Sequence, residues 1–264
     1  MQLAQQRRAF ILEAIRRDGA VRVADLVERL GVSDMTIRRD LDALAARGAV
    51  EKVYGGAVAA SGTRGEEPGF DAKADLQEGA KAAIAATAAA LVEPGAVVAV
   101  SAGTTAHAVA ARLLDVPGLT LLTNSLPVAE LVRTAARERG AGAAPALLLT
   151  GGSPTPSAAL VGPLADLVIG SLHVDLLVLG AHGVDERAGL TTPNLAEAQT
   201  NRALVASARR VVVVADHSKW GTVGLSGFAP LDRIDCFVTD DGLPEEARAV
   251  LTDTVGELLV ADRS

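Results

Sequence analysis

The sequence predicts an α/β protein in two parts: a small helical module closed by a β-hairpin, then a larger, mostly parallel sheet covered by helices on both faces. Three observations predict it. Between Val23 and Leu44 apolar residues recur at helical spacing around a glycine turn. The alternating run Ala49 to Tyr54 is followed by Gly55-Gly56 and Ala57-Val58, the pattern of a hairpin. From Val97 onward, short continuous apolar runs alternate with helical segments, as in parallel strands buried on both faces.

Composition allows this. A chain of 264 residues can bury two cores, and 49% hydrophobic residues with a mean hydropathy of +0.29 exclude a disordered chain. Aromatics make up 2%, so Ala, Val and Leu must supply the packing. Net charge is −7, but it is unevenly spread. Residues 1–54 carry 10 basic and 8 acidic side chains, a balance of +2; the remainder carries 15 and 24, a balance of −9. A surplus of +2 is mild, so any nucleic-acid binding must rest on local geometry and pairing of heads rather than bulk charge. The single cysteine, Cys236, excludes an internal disulfide and fits a reducing, cytoplasmic compartment; its apolar surroundings predict a buried, inert thiol. Arginines and Glu13 interrupt any leader-like apolar run, and Ala82 to Val92 is too short to cross a membrane, so no membrane association is expected.

Along the chain, Gln2 to Arg17 is helical in pattern and Asp18-Gly19 ends it. Ala20–Arg22 reads as a short strand pairing with the hairpin, Val23–Leu30 as a short helix stopped by Gly31. Ser33 is an N-cap, Asp34 complements the helix dipole, and Val32 and Ile37 occupy the hydrophobic-staple positions. Ile37, Leu41 and Leu44 define the buried stripe of this helix, which Gly48 ends. Met35, Arg38, Arg39 and Asp42 then point away from the stripe. Helix, glycine turn, capped helix and hairpin is the order of a winged helix-turn-helix. In that setting Arg38 and Arg39 suit phosphate contact and bidentate guanine reading in a major groove. Met35 shares their face, Ser33 and Thr36 flank it, and Lys52 and Tyr54 of the wing can touch the backbone beside the groove.

The small polar stretch Ala59 to Pro68 reads as a linker, giving domains 1–58 and 71–264 joined by 59–70. A long helix is expected from Asp71 to Val92. Strands follow at Val97–Val100, Leu119–Thr123, Ala146–Leu149, Asp175–Leu179, Arg210–Ala215, Ile234–Thr239 and Leu258–Ala261. Helices are expected at Thr105–Leu114, Pro127–Ala136, Leu164–Leu172, Leu195–Ala208 and Pro244–Val255, and a mobile loop at Arg137 to Pro145.

Ligands of open α/β sheets bind beyond the carboxyl ends of the strands. Five successive strand ends here are polar. They hold Ser101, Gly103, Thr104 and Thr105; then Asn124; then Gly151 and Gly152; then His182, with Thr191-Thr192 a few residues on; then Asp216 and Lys219. Taken singly each is also ordinary turn chemistry; gathered on one edge they form a pocket for a phosphate and hydroxyls. The first opens a helix, an anion cradle, though not a P-loop, since the Gly-Lys-Ser/Thr ending is missing. Glu197, early in a helix, either complements its dipole or receives a sugar hydroxyl; Lys219 suits a phosphate. The histidines and Cys236 show no metal-ligand spacing, so neither metal nor cofactor is expected.

The string VSDMTIRRDLDAL with the YGGAV wing resembles the N-terminal domain of the DeoR family of bacterial repressors. AGTT, TNS, TGGS, GPLAD, VDLLVLGAHGV, GLTTPNLAEA and VVVVADHSK resemble its C-terminal effector domain, in the family's order. The resemblance covers roughly Gln2 to Val260. It implies operator binding by Ser33, Thr36, Arg38 and Arg39, and a sensor similar in fold to ribose-5-phosphate isomerase that responds to phosphorylated sugars. Two positions depart from the pattern: Ser101 stands where the family usually has Asp, and Asn201 where a basic residue often stands. Both remove charge from the pocket. The function so implied is a non-enzymatic repressor, an oligomer in which two or four copies pair their heads on double-stranded operator DNA, with a phosphorylated sugar as effector. The alternative is a sugar-phosphate isomerase or deaminase carrying a DNA-binding module, with Glu197, Asp216 and Lys219 as its chemistry; a third is a constitutive DNA-binding oligomer that has lost its ligand.

Overall fold

The computed structural model describes residues 4–18, 20–46, 49–53, 55–59, 69–74, 76–140 and 142–262. Two compact units emerge, residues 1–63 with 71–76 and residues 64–70 with 77–264.

In the first unit, α1 (Ala4–Asp18) leads into β1 (Ala20–Arg22), α2 (Val23–Leu30) and α3 (Asp34–Ala45), then β2 (Val50–Val53) and β3 (Gly56–Ala59). The order and the strand pairing match the sequence reading: β3 pairs antiparallel with both β1 and β2. Gly56 is required by close approach, because a Cβ there would lie 2.1 Å from the carbonyl oxygen of Val21. Ile11, Ile15, Leu26, Ile37, Leu41, Leu44, Val50 and Ala57 form the core, and Leu76 packs against it. α3 ends at Ala45, ahead of Gly48, the expected stop, which lies outside the described residues.

The expected helix from Asp71 to Val92 is two helices, α4 (Phe70–Ala74) and α5 (Glu78–Ala89). Gln77 between them has φ 54°, a left-handed conformation that a right-handed helix cannot pass through.

The second unit continues with β4 (Val97–Val100), α6 (Thr104–Leu113), β5 (Thr120–Thr123), α7 (Leu126–Arg139), β6 (Ala146–Leu149), β7 (Ser153–Pro154), β8 (Leu160–Val161), α8 (Pro163–Gly170) and β9 (Val174–Gly180). Then come β10 (Gly183–Asp185), β11 (Gly189–Thr192), α9 (Leu195–Ser207), β12 (Ala208–Val214), β13 (Ser226–Ala229), β14 (Cys236–Asp240), α10 (Glu245–Thr254) and β15 (Leu258–Ala261). Seven strands form one sheet in the order β15-β14-β12-β9-β4-β5-β6, and every pairing in it is parallel. Alternate residues feed two cores: Val98, Val100, Leu121, Val178, Val212 and Val238 on one face, and Ala99, Leu122, Leu177, Leu179, Val213 and Phe237 on the other. That double burial is why these strands read as continuous apolar runs.

Two features escaped the sequence reading. β10, β11 and β13 make a small antiparallel sheet, and β7 and β8 a short hairpin. The β10–β11 turn is closed by Asp185, whose Oδ1 accepts the N–H groups of Arg187 and Ala188 at 3.0 and 2.9 Å. α7 also runs through Arg139, past the expected stop at Ala136 and into the segment read as a mobile loop. Cys236 is buried as anticipated, and burial, with the nearby Glu257 charge, pushes its thiol up to about 11.

Candidate nucleic-acid interface and effector pocket

The side chains expected to read DNA lie on α3. Ser33 caps the helix: its Oγ accepts the Thr36 N–H at 3.3 Å and lies 2.9 Å from Thr36 Oγ1. With Ile37, Leu41 and Leu44 buried, the opposite side must face out, and it does: Met35 is 61% exposed and Arg38 and Arg39 are exposed. Arg38 is held by Asp34 one turn earlier, Nε to Oδ1 at 2.5 Å. Arg39 makes no hydrogen bond or ion pair among the described residues, so its guanidinium is available. Lys52 lies on β2 opposite Ala57. Tyr54 lies outside the described residues.

Behind this face sits a residue that sequence reading passed over. Asp40 is buried and accepts Arg7 Nε at 2.7 Å and Arg8 Nε at 2.8 Å. The two arginines come from α1, so the carboxylate fastens α1 to the inner side of α3. It lies next to the Arg-Arg pair, where a charged residue reads as surface; only its i−3 and i+4 relation to Ile37 and Leu44 marks it as inward.

In the second unit the strand order sets the carboxyl ends of β12, β9, β4, β5 and β6 side by side. The five polar loops therefore share one sheet edge. Ser101 is buried; its Oγ accepts the Gly180 N–H at 3.0 Å and lies 3.1 Å from the Ala102 carbonyl oxygen, to which it donates. Asn124 is buried too, accepting the Ala102 N–H and donating to the Leu160 carbonyl, both at 3.1 Å. These two side chains hold the loop walls. Gly103 caps α6, with Thr104 and Thr105 in its first turn. Gly151 and Gly152 follow β6; Gly152 has φ 117°, and a Cβ on it would lie 2.6 Å from the Val161 carbonyl oxygen. His182 and Lys219 are partly exposed.

Glu197 is buried and accepts three hydroxyls: Thr155 at 2.6 Å and Ser157 at 2.5 Å on Oε1, and Thr192 at 3.2 Å on Oε2. Three hydroxyl donors converge on its carboxylate, which ties the β7–β8 hairpin to α9. Thr155 and Ser157 were missed with that hairpin. Asp216 is buried and accepts both the N–H of Ser218, at 3.0 Å, and its Oγ.

A sixth strand end also contributes. Asp240 is fully buried at the end of β14; His217 Nδ1 lies 2.7 Å from its Oδ2, and the His217 N–H donates to its Oδ1 at 2.8 Å. Burial pushes this carboxyl up, but the His217 ring and N–H and the Gly242 N–H outweigh it and hold it down at about 2. Thr239-Asp240 was available in the sequence as a polar ending to an apolar strand; Lys81, buried on α5, carried no such signal. Among the described residues no group of three or more His, Cys, Asp or Glu could hold a metal, and no helix is long and apolar enough to cross a membrane.

Comparison with known proteins agrees with both halves. Residues 7–63 match the DeoR-like helix-turn-helix domain and residues 76–241 the DeoR C-terminal sensor domain. The uncharacterised regulator YgbI of Escherichia coli is 36% identical over 97% of each chain. The regulator GlpR of Haloferax volcanii is 36% identical over 93% of each. The glycerol-3-phosphate regulon repressor of E. coli is 32% identical over 94% of this chain and 95% of its own. Ribose 5-phosphate isomerase from Methanocaldococcus jannaschii overlaps 53% of each chain at 19% identity and a TM-score of 0.38, too loosely to carry an argument. With a matched head, a matched sensor and relatives aligned along almost their whole length, the chain belongs to the DeoR family of DNA-binding transcriptional regulators.

Proposed function

We propose that the chain is a cytoplasmic repressor of a carbohydrate-metabolism operon, released from or tightened on its operator by a phosphorylated sugar or related metabolite. The head, residues 1–58, reads a major groove through Met35, Thr36, Arg38 and Arg39, with Ser33, Lys52 and Tyr54 at the backbone. Through the linker 59–70 it is joined to the sensor, residues 71–264. Two or more copies associate, so that paired heads match a repeated operator. One observation carries the reading: an exposed guanidinium, Arg39, with no partner among the described residues, on a capped helix whose far side is the core.

In the sensor, the phosphate settles at the Gly103–Thr105 helix start and Lys219, with Gly151, Gly152 and His182 lining the edge. Ser101, Asn124, Glu197 and Asp216 set the walls. The ligand shifts the population between two arrangements by its differential affinity for them. That relatives include a glycerol-3-phosphate regulon repressor supports a small phosphorylated effector.

The test is operator binding by fluorescence anisotropy, titrated with sugar phosphates, glycerol 3-phosphate and the unphosphorylated parents. A change in affinity with phosphorylated compounds alone is expected. Lys219→Ala should blunt that response and leave DNA affinity intact; a normal response in the variant removes Lys219 from the site. The enzyme reading has no comparable support, since Glu197, its candidate acid or base, already accepts three hydroxyls.

A further inference from the structure

Residues 64–70 belong to the sensor unit and 71–76 to the head unit. On the sensor side this passage is clasped. Phe70 sets its ring edge-on to His107, with centroids 5.4 Å apart and planes at 76°. It is the one ring pair among the described residues of a chain with four Phe, one Trp and one Tyr. Burial holds the His107 imidazole below its ordinary value, so it packs as a neutral ring. His107 stands one turn into α6 and donates its N–H to the Gly103 carbonyl at 2.9 Å, so it rides on the helix start assigned to phosphate. A Cβ on Gly69 would lie 3.4 Å from the carbonyl oxygen of Pro156, the residue between the two hydroxyls, Thr155 and Ser157, that reach Glu197. Residues 69 and 70 thus lie against two walls of the candidate effector pocket.

On the head side, Leu76 packs against the core of the first unit. The next residue, Gln77, is the break between α4 and α5. No breaker residue demands it. From Phe70 to Ala89 there is no proline, the one glycine, Gly79, sits inside α5, and alanine is the commonest residue. Gln77 is held left-handed, at φ 54° and ψ 37°, a conformation that L side chains avoid, and it caps α5 without a side-chain hydrogen bond. The five residues of α4 are too few to stand as a helix alone. Turned to helical angles, Gln77 would join α4 to α5 and change the direction in which α4 leaves it.

We propose that residues 70–89 are a two-state helix, and that the effector favours the broken form, with Phe70 clasped to His107, over a continuous one. The proposal deepens the effector reading above and rests on it for the ligand. An anion at Gly103–Thr105 fixes the turn that carries His107, and a ligand against the β7–β8 wall fixes the connection beside Gly69. Both walls then hold residues 69 and 70, and the clasp outweighs the cost of a left-handed Gln77. Without the ligand that cost favours the continuous form. The shift is set by the ligand's differential affinity for the two.

The test is amide hydrogen exchange of the full chain, with inorganic phosphate and glycerol 3-phosphate as probes. The N–H groups of Glu78, Gly79 and Ala80 open α5, so the broken form leaves them without helical acceptors, whereas a continuous helix bonds them to the turn before. Gln77→Gly accepts the left-handed angle and should lower protection there; Gln77→Val, β-branched, resists it and should raise protection, with roughly ten-fold between the two. The same pair should move probe affinity in opposite directions, tighter for Gly and weaker for Val. Phe70→Ala cuts the clasp and should follow Gln77→Val in both respects. A probe that binds the parent should lower protection at these three amides. Equal protection in all four chains, affinities that move together, or a parent-like Phe70→Ala overturns the proposal. Binding of neither probe by any chain removes the effector reading instead; opposed protection in the Gly and Val variants then still supports the two-form helix, and equal protection overturns it.

Discussion

The proposed reading face of the head and the polar edge of the sensor use their candidate functional side chains in opposite ways. On α3, the groups assigned to DNA are turned outward, and Arg39 has no partner among the described residues. At the sensor edge, Ser101, Asn124, Glu197 and Asp216 are all buried and hydrogen-bonded within the chain. A DNA groove arrives with its own dense charge and needs only presented donors. A small ligand needs a cavity whose walls are already in place, so most polar groups there are used in holding loops together. The head has such a fastening too, but behind its face: Asp40 with Arg7 and Arg8.

The largest expected effect breaks that fastening. Asp40→Ala leaves the buried Arg7 guanidinium without its carboxylate and should cost the head about 3 kcal/mol or more. Calorimetry should show the head melting earlier while the sensor transition stays in place, and operator binding should fall with it. A single unshifted transition means that the ion pairs are dispensable and the apolar core alone sets the helix. Next in size, Arg39→Ala should weaken specific operator binding by about 1–3 kcal/mol per head without altering either melt. Unchanged discrimination between operator and random duplex would remove Arg39 from base reading.

These two variants also show what a sequence can reveal. Arg39 was legible because periodicity alone separates Ile37, Leu41 and Leu44 from the outer face of one helix. Asp40 was not, because its partners lie 33 and 32 residues away and its neighbours are charged. The same rule runs through the sensor. The parallel strands were legible from their apolar runs, and the five polar loops from their positions after those runs. The partners of Glu197 were not, since Thr155 and Ser157 reach it from 42 and 40 residues away, in the connection between the two-residue strands β7 and β8, which have no pattern of their own. The break at Gln77 was illegible for a related reason: Ala-rich sequence on both sides favours helix, and only a backbone turned to φ 54° interrupts it.

A third prediction sharpens the sensor side through pH. Asp240 is held down at about 2 in the folded chain, against an ordinary value near 4 when unfolded. Its contribution is present above the unfolded value and is lost as pH falls from about 4 through 2, amounting to about 2 kcal/mol. Denaturant melts of the sensor transition at pH 5, 4 and 3 should show a loss that Asp240→Asn flattens. An identical slope in the variant would place the acid sensitivity in other carboxylates.

The smallest effect tests whether the head's face is as bare as it looks. Arg38 shares that face with Arg39 but is held by Asp34, an exposed pair one helical turn apart. Removing Asp34 should cost the helix only about 0.3–1 kcal/mol, from the lost pair and the lost charge at its N-terminus. On DNA the sign should reverse. In that reading Asp34 is a negative charge facing a polyanion, and Asp34→Ala removes the carboxylate that neutralises Arg38 beside Arg39. Affinity for random duplex should rise and fall off more steeply with salt, while discrimination between operator and random sequence narrows. If the ion pair instead orients Arg38 for a base edge, operator affinity will drop and the random-duplex affinity will hold. The two outcomes distinguish a face that is merely exposed from one whose donors are already aimed.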